Sequence, residues 1–321
     1  MEQYVRVIPY KLIEENEEIN EVPKGVELIQ APQIWNKTKG KGIKVAVLDT
    51  GCDITHPDLK DRIIGGRNFT DDDRSNPDIF YDYNGHGTHV SGTIAATENH
   101  AGVIGVAPEA GLLIVKVLNK AGSGKYEWII KGIHYAIEQQ ADIISMSLGG
   151  PADVPELHEA IQAAVEKNIL VVCAAGNEGD GDDATNEFAY PGCYNEVVSV
   201  GAINLERGSS DFTNSHNQID VVAPGEGILS TYLNGKYAKL SGTSMSAPHV
   251  SGALALIKTY ANQQFERPLT EPELYAQLIR RTVPLGNSPK LEGNGQVYLT
   301  VPDHLAGIFD QNFKTMVANA L

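Results

Sequence analysis

Four short segments hold side chains that together could turn a serine into a nucleophile. Asp49 follows the apolar run 45–48, and His86 stands in Asn84-Gly85-His86-Gly87-Thr88-His89-Val90. Asn177 lies in Ala174-Ala175-Gly176-Asn177-Glu178-Gly179, and Ser244 in Gly242-Thr243-Ser244-Met245-Ser246-Ala247-Pro248-His249. A serine hydroxyl is a weak nucleophile at neutral pH and needs a histidine base within hydrogen-bond reach, itself oriented by a carboxylate. Attack on an acyl carbon places negative charge on the former carbonyl oxygen, which preorganised N–H donors must meet. The chemistry is acyl transfer. Taken singly these residues are ordinary, since an Asp after a strand or a Ser in Gly-Thr-Ser most often caps a turn or helix; the weight rests on the four together.

Other chemistries fare worse. Ala121-Gly122-Ser123-Gly124-Lys125-Tyr126 has a phosphate-loop look, but Asn119 replaces its first glycine and Tyr126 its hydroxyl residue. Gly242-Thr243-Ser244-Met245-Ser246 lacks the second glycine of a lipase-type nucleophile elbow. No His-Glu-x-x-His occurs, and His86 and His89 have no cysteine or carboxylate partners at zinc spacing. His89, three residues along the same helix from His86, reads as a packed neighbour, as does His249; His56-Pro57-Asp58 reads as a loop anchor.

A scaffold must bring these segments together. β-branched runs at 45–48, 112–117, 143–146, 170–173 and 197–200 alternate with helical patterns at 87–96, 126–138 and 156–166, followed by a long helix at 244–260 and a last one near 271–281. That alternation predicts an α/β fold in three layers, a mostly parallel sheet covered by helices on both faces. In such sheets sites form beyond the carboxyl ends of strands, which is where Asp49 and Gly176-Asn177 fall. Ser244 opens a helix, whose first N–H groups are free and whose dipole favours a nearby anion, and Pro248 is expected within about the first turn, where its missing N–H costs little.

The chain has 321 residues, with 25 Lys and Arg against 41 Asp and Glu, a net charge of −16. Such acidity argues against nucleic acid and anionic membranes as partners, and no stretch approaches a membrane span. Three cysteines make a poor disulfide framework, and the first twenty residues lack a signal-like apolar core, so a cytoplasmic protein is expected. Cys52, three residues after Asp49, is close enough that a thiol adduct is expected to disturb the site; Cys173 reads as core.

In content and in the chain order Asp49, His86, Ser244, the motifs resemble the three signature segments of the subtilisin family of serine proteases, with the Asn177 segment resembling its oxyanion loop. The resemblance runs from about Val7 past Arg281. It implies a peptide substrate bound as an added strand, on backbone of Ser123 and Gly124 on one side and Ser147, Leu148 and Gly149 on the other, with Tyr126, Ala174, Gly176, Glu178 and Ala189 around the subsites. It also implies structural Ca²⁺: one site on Asp58 with Thr97, Asn99, Ala101 and Val103, and a second on backbone of Gly192, Tyr194 and Val197 with the carboxylate of Asp220. Hard oxygen ligands of this kind need no cysteine.

Val7-Ile8-Pro9-Tyr10 resembles a motif of the intracellular subtilisins, whose short N-terminal extension lies across the active site. Residues 1–19 are accordingly expected to form an inhibitory propeptide: Ile8 and Tyr10 fill apolar subsites while Pro9 fixes φ and removes a donor. Glu14, Glu15, Glu17 and Glu18 form an accessible linker, and processing falls near Ile19 or Asn20. Residues 20–285 form the peptidase domain and 286–321 a C-terminal extension available for the homodimer that the resemblance implies. A binder that merely retains the fold, or a ligase or esterase using the same acyl-enzyme, are the rival readings.

Overall fold

Apolar residues on both sides of a strand demand cover on both sides. The computed structural model, which describes residues 4–16 and 19–307, supplies it around a nine-stranded sheet. Across that sheet run Thr282–Val283, Gln296–Val297, Val221–Pro224, Val198–Ile203, Leu170–Ala174, Ile143–Met146, Lys44–Asp49, Gly111–Lys116 and Ile63–Asn68. All neighbours are parallel except the first pair.

Lys44–Asp49 shows how the strands are read by their two faces. Val45 and Val47 point into a core shared with Val90 and Ile94 of helix His86–Ala95 and with Val250 and Leu254 of helix Thr243–Phe265. Ala46 and Leu48 point the other way, onto Ile129 and Ile133 of helix Tyr126–Glu138 and Ile161 of helix Pro155–Val165. Burial on both faces makes the sequence a continuous apolar run rather than an alternating one. The predicted three-layer α/β class is therefore the observed one, with element boundaries shifted by a few residues.

The chain leaves Lys44–Asp49 toward one side of the sheet, through Ile63–Asn68 and Gly111–Lys116, and then crosses to the other side at Ile143–Met146. Asp49 thus ends the strand at which the winding direction changes, the place where α/β sheets bind ligands.

Three smaller sheets surround this frame. Tyr4–Val7 runs antiparallel between Ser123–Lys125 and Leu148–Gly149. Lys11–Asn16 runs antiparallel beside Tyr237–Ser241, which also pairs with Ile228–Thr231. Asn20–Glu21 pairs with Gly102–Val103.

Several expectations change here. The acidic stretch expected as an open linker is strand up to Asn16, while Glu17 and Glu18 lie outside the described residues. Within the expected C-terminal extension, Gln296–Val297 joins the main sheet; residues 308–321 lie outside the described residues. Pro248 sits in the sixth position of helix Thr243–Phe265, beyond the first turn, so it withholds an N–H from the carbonyl of Ser244. Ser147 Oγ donates to that carbonyl instead, at 2.9 Å. Cys52 is fully buried and burial pushes its thiol well above the usual range, so its side chain is closed to adducts in the folded protein. Among the described residues, no helix is long and apolar enough to cross a membrane.

Candidate active site

Asp49 and His86 meet in the buried interior, with His86 Nδ1 2.8 Å from Asp49 Oδ1. The local chain makes this contact rigid. The N–H of Thr50 donates to Asp49 Oδ1, and the Thr50 hydroxyl accepts from the Gly87 N–H and donates to Asp82. Asp82 also accepts from the N–H groups of Asn84, Gly85 and Thr88 and from the Thr88 hydroxyl, tying the Asp49 turn to the start of the His86 helix. Gly85 opens that helix at φ +100, where a Cβ would come 2.4 Å from the Tyr232 ring.

Beneath the same turn Lys116 is wholly buried, its ammonium donating to the Thr50 carbonyl at 2.6 Å and paired with Asp72 at 3.1 Å. Neither Asp82 nor Lys116 was expected as part of the site. Asp82 carried one signal, a carboxylate a few residues ahead of a helix start; a lysine inside an apolar strand gives no hint of which carbonyl it serves.

Ser244 is the second residue of its helix and is fully buried. Its hydroxyl donates to the Ser147 carbonyl at 3.2 Å, and His86 Nε2 has no hydrogen-bond partner, so serine and histidine are not bonded to each other in this arrangement. Asn177 is fixed by the same helix start, its Oδ1 accepting from the Thr243 N–H at 2.9 Å and the Thr243 hydroxyl at 2.8 Å. That leaves Asn177 Nδ2 free to donate outward, and it donates to the carbonyl of Pro9. Gly242, at φ +155, caps the helix; a Cβ there would come 2.7 Å from Asn177 Nδ2.

The chain's own N-terminal segment fills the site. Val5 and Arg6 pair with Gly124 and Ser123, Arg6 and Val7 with Gly149 and Leu148, and the Val7 N–H donates to Gly122 O at 2.8 Å. Ile8 is buried and borders a cavity with Gly149, Glu178 and Ala189. The Tyr10 ring lies 5.0 Å from that of His86, and its hydroxyl donates to Asn84 Oδ1 at 3.2 Å. Of the residues expected around the subsites, Tyr126 is anchored through its hydroxyl to Ala152 O, Gly176 donates its N–H to the Thr243 hydroxyl, and Ala174 ends its strand fully buried.

The remaining histidines are placed. His89 Nε2 lies between the carbonyls of Ile228 and Ala238, and burial lowers its pKa to about 3. His249 Nδ1 bonds the Met245 carbonyl, and burial lowers its pKa to about 4. His56 Nε2 bonds Lys236 O, anchoring its loop.

Among the residues expected to hold a cation, Asp58 is buried, with Asn99 Nδ2 donating to one carboxylate oxygen and the Val103 N–H to the other; its carbonyl takes the Thr97 N–H, and Ala101 donates to Asn99 Oδ1. Asp220 accepts from the Tyr275 hydroxyl at 2.6 Å and the Ser199 N–H at 2.8 Å, and burial raises its pKa to about 6. Of its expected companions, Tyr194 bonds Asp153 through its hydroxyl, while Gly192 packs on the Ala174 carbonyl and Val197 lies in the core.

A carboxylate-bound histidine, a serine at a helix start and an outward-aimed amide define the class of serine peptidases. Comparison with known proteins agrees: the model of the subtilase family matches residues 40–299. The chain belongs to the subtilase family and is a serine protease. It is 71% identical to the intracellular serine protease of Paenibacillus polymyxa, over 97% of this chain and 95% of that protein. It is 62% identical to the major intracellular serine protease of Bacillus subtilis, over 96% and 97%, and 44% identical to subtilisin E of the same species, over 79% and 66%.

Proposed function

We propose that this protein is an intracellular endopeptidase that hydrolyses peptide bonds through an acyl-enzyme, and that its N-terminal extension holds it inactive. Ser244 Oγ attacks the acyl carbon while His86 Nε2 takes its proton. Asp49, at Nδ1, fixes the tautomer and stabilises the imidazolium. Asn177 Nδ2 and the Ser244 N–H carry the oxyanion. The C–N bond then breaks as His86 protonates the leaving amine, and water repeats the sequence to free Ser244.

The observation that carries this reading is the position of Pro9. A substrate placed for attack puts one residue's side chain in the acyl pocket and the same residue's carbonyl on the oxyanion donor. In the extension the side chain lying over Gly149 beside Ala189 is that of Ile8, but the carbonyl on Asn177 belongs to Pro9. The strand is one residue out of step with cleavage, and Ser244 Oγ is turned to Ser147. Activation requires the extension to leave, with the cut near Ile19 or Asn20, and the serine to swing to His86.

The reading includes structural Ca²⁺ at Asp58, a buried carboxylate that in this arrangement accepts from the Asn99 amide and the Val103 N–H. Asn99 Oδ1 and the carbonyls of Thr97, Ala101 and Val103 would supply the further oxygen ligands that calcium takes, after the Asn99 amide and the Val103 N–H had given up the carboxylate. When bound, the ion supplies charge compensation to this loop. A second ion on Asp220, with the carbonyls of Gly192, Tyr194 and Val197, would share that carboxylate with Tyr275. The names of the relatives support a cytoplasmic setting, and a homodimer through residues beyond Arg281 completes the reading, to be checked by light scattering.

The test is hydrolysis of a chromogenic tetrapeptide anilide with calcium, comparing this chain with Ser244→Ala while following intact mass. A lag that ends as residues 1–19 disappear, absent from the variant, is the expected result. Immediate full activity with an intact N-terminus overturns the inhibitory extension, and equal rates for both proteins overturn Ser244 as nucleophile.

A further inference from the structure

Beyond the oxyanion donor, the N-terminal segment continues along a second sheet. Counting from the Pro9 carbonyl on Asn177, Tyr10 is the first residue on the leaving-group side and Lys11 the second. Lys11 and Leu12 pair with Ser241 and Leu240; the register then shifts, Ile13 has no counterpart, and Glu14, Glu15 and Asn16 pair with Lys239, Ala238 and Tyr237. Here the contact becomes electrostatic: Glu14 meets Lys239 at 2.8 Å and Glu15 meets Lys236 at 3.1 Å.

We propose that Tyr237–Ser241 is a docking strand for the part of a substrate on the leaving-group side of the cut, and that Lys239 and Lys236 make it select acidic residues about four to six positions beyond the scissile bond. This rests on the peptidase reading above and adds a substrate class to it. Main-chain pairing of an added strand gives affinity without regard to sequence, so selectivity must come from the side chains flanking it. Two lysines, Lys239 in the middle of this strand and Lys236 just before it, belong to a chain whose net charge is −16, so they mark a local reversal of the field that any acidic segment meets elsewhere on the molecule. Lys239 lies directly opposite Glu14, the cross-strand position where unlike charges attract and like charges repel. The span of positions follows from the bulge: a substrate that crosses without it reaches Lys239 with its fourth residue, one that keeps it with its fifth.

Internally quenched peptides identical on the acyl side, carrying Glu, Gln or Lys at the fourth to sixth leaving-side positions, test this with the full chain. Rates are referred to anilide turnover in the same sample, which reports the sites open for hydrolysis. Because exposed ion pairs are weak and screened, the expected preference for Glu over Gln is about two- to fivefold per charge in kcat/KM, shrinking in 1 M salt. In Lys239→Glu the order of the Glu and Lys peptides inverts. Anilide hydrolysis with no dependence on peptide charge, or a preference that survives Lys239→Glu unchanged, overturns this proposal and leaves the peptidase standing. A chain that cuts neither anilide nor peptide overturns both.

Discussion

Replacing Ser147 by alanine probes the way Ser244 is held. Pro248 has no N–H for the Ser244 carbonyl four residues before it, and Ser147 Oγ makes that hydrogen bond at 2.9 Å in a region where both residues are fully buried. Deleting the hydroxyl leaves a buried carbonyl without this donor, which costs about 1–3 kcal/mol. For a chain of 321 residues that corresponds to a fall in Tm of roughly 1.5 °C per kcal/mol. The diagnostic experiment is a double-mutant cycle with Pro248→Ala, measured by calorimetry in a Ser244→Ala background that prevents self-digestion while keeping the carbonyl. Pro248→Ala restores an N–H at the right place, so Ser147→Ala in that background should cost no more than about 0.5 kcal/mol, a coupling clearly outside additivity. Equal costs in the two backgrounds would refute the idea that the serine repairs the gap left by the proline.

Asp49→Asn should lower kcat by about 10⁴-fold with little change in KM, the loss typical of serine-protease triads whose histidine is left in the wrong tautomer. Asn177→Ala should lower kcat by about 10²–10³-fold, the loss known for the oxyanion asparagine of subtilisin itself; anilide kinetics after removal of the extension measure both. Burial holds His249 neutral with a pKa of about 4, below its ordinary value in the unfolded chain, so its contribution is complete above about pH 6.5 and is lost as the pH falls toward 4. At pH 5 this amounts to about 2 kcal/mol, read as a drop in urea midpoint that is flattened in His249→Asn. Chelating calcium should lower Tm, and Asp58→Asn should abolish that dependence; a chelator effect unchanged in Asp58→Asn would remove the ion from that loop.

The central strands and four of the covering helices were legible because both faces of each strand are buried, and burial on two sides writes an unbroken apolar run. Ile63–Asn68 was not, because its two glycines weaken the strand pattern. Tyr4–Val7 and Lys11–Asn16 were missed for another reason: each is strand only because a particular edge receives it, and edges are set by the folded body rather than by local sequence. The triad and Asn177 were readable as types in motifs. Their supports were less so: apart from the carboxylate ahead of a helix start at Asp82, Lys116 on the Thr50 carbonyl and Ser147 on the Ser244 carbonyl serve backbone groups that no side-chain pattern announces.

The strands Tyr4–Val7 and Lys11–Asn16 lie on separate sheets and are joined only by Ile8, Pro9 and Tyr10, which cross the catalytic centre. Neither is long enough to bind tightly alone. Linked so closely, each presents the other at an effective concentration on the order of millimolar, so that their combined hold far exceeds either affinity. Being unimolecular, that hold is insensitive to dilution, and on the proposed inhibitory reading a competing peptide would have to clear two sheets rather than one. Its weakness lies in the link. A single cut among those three residues would leave Tyr4–Val7 held by its own pairing alone and able to dissociate, while Lys11–Asn16 stayed tethered to the body through the chain that follows it.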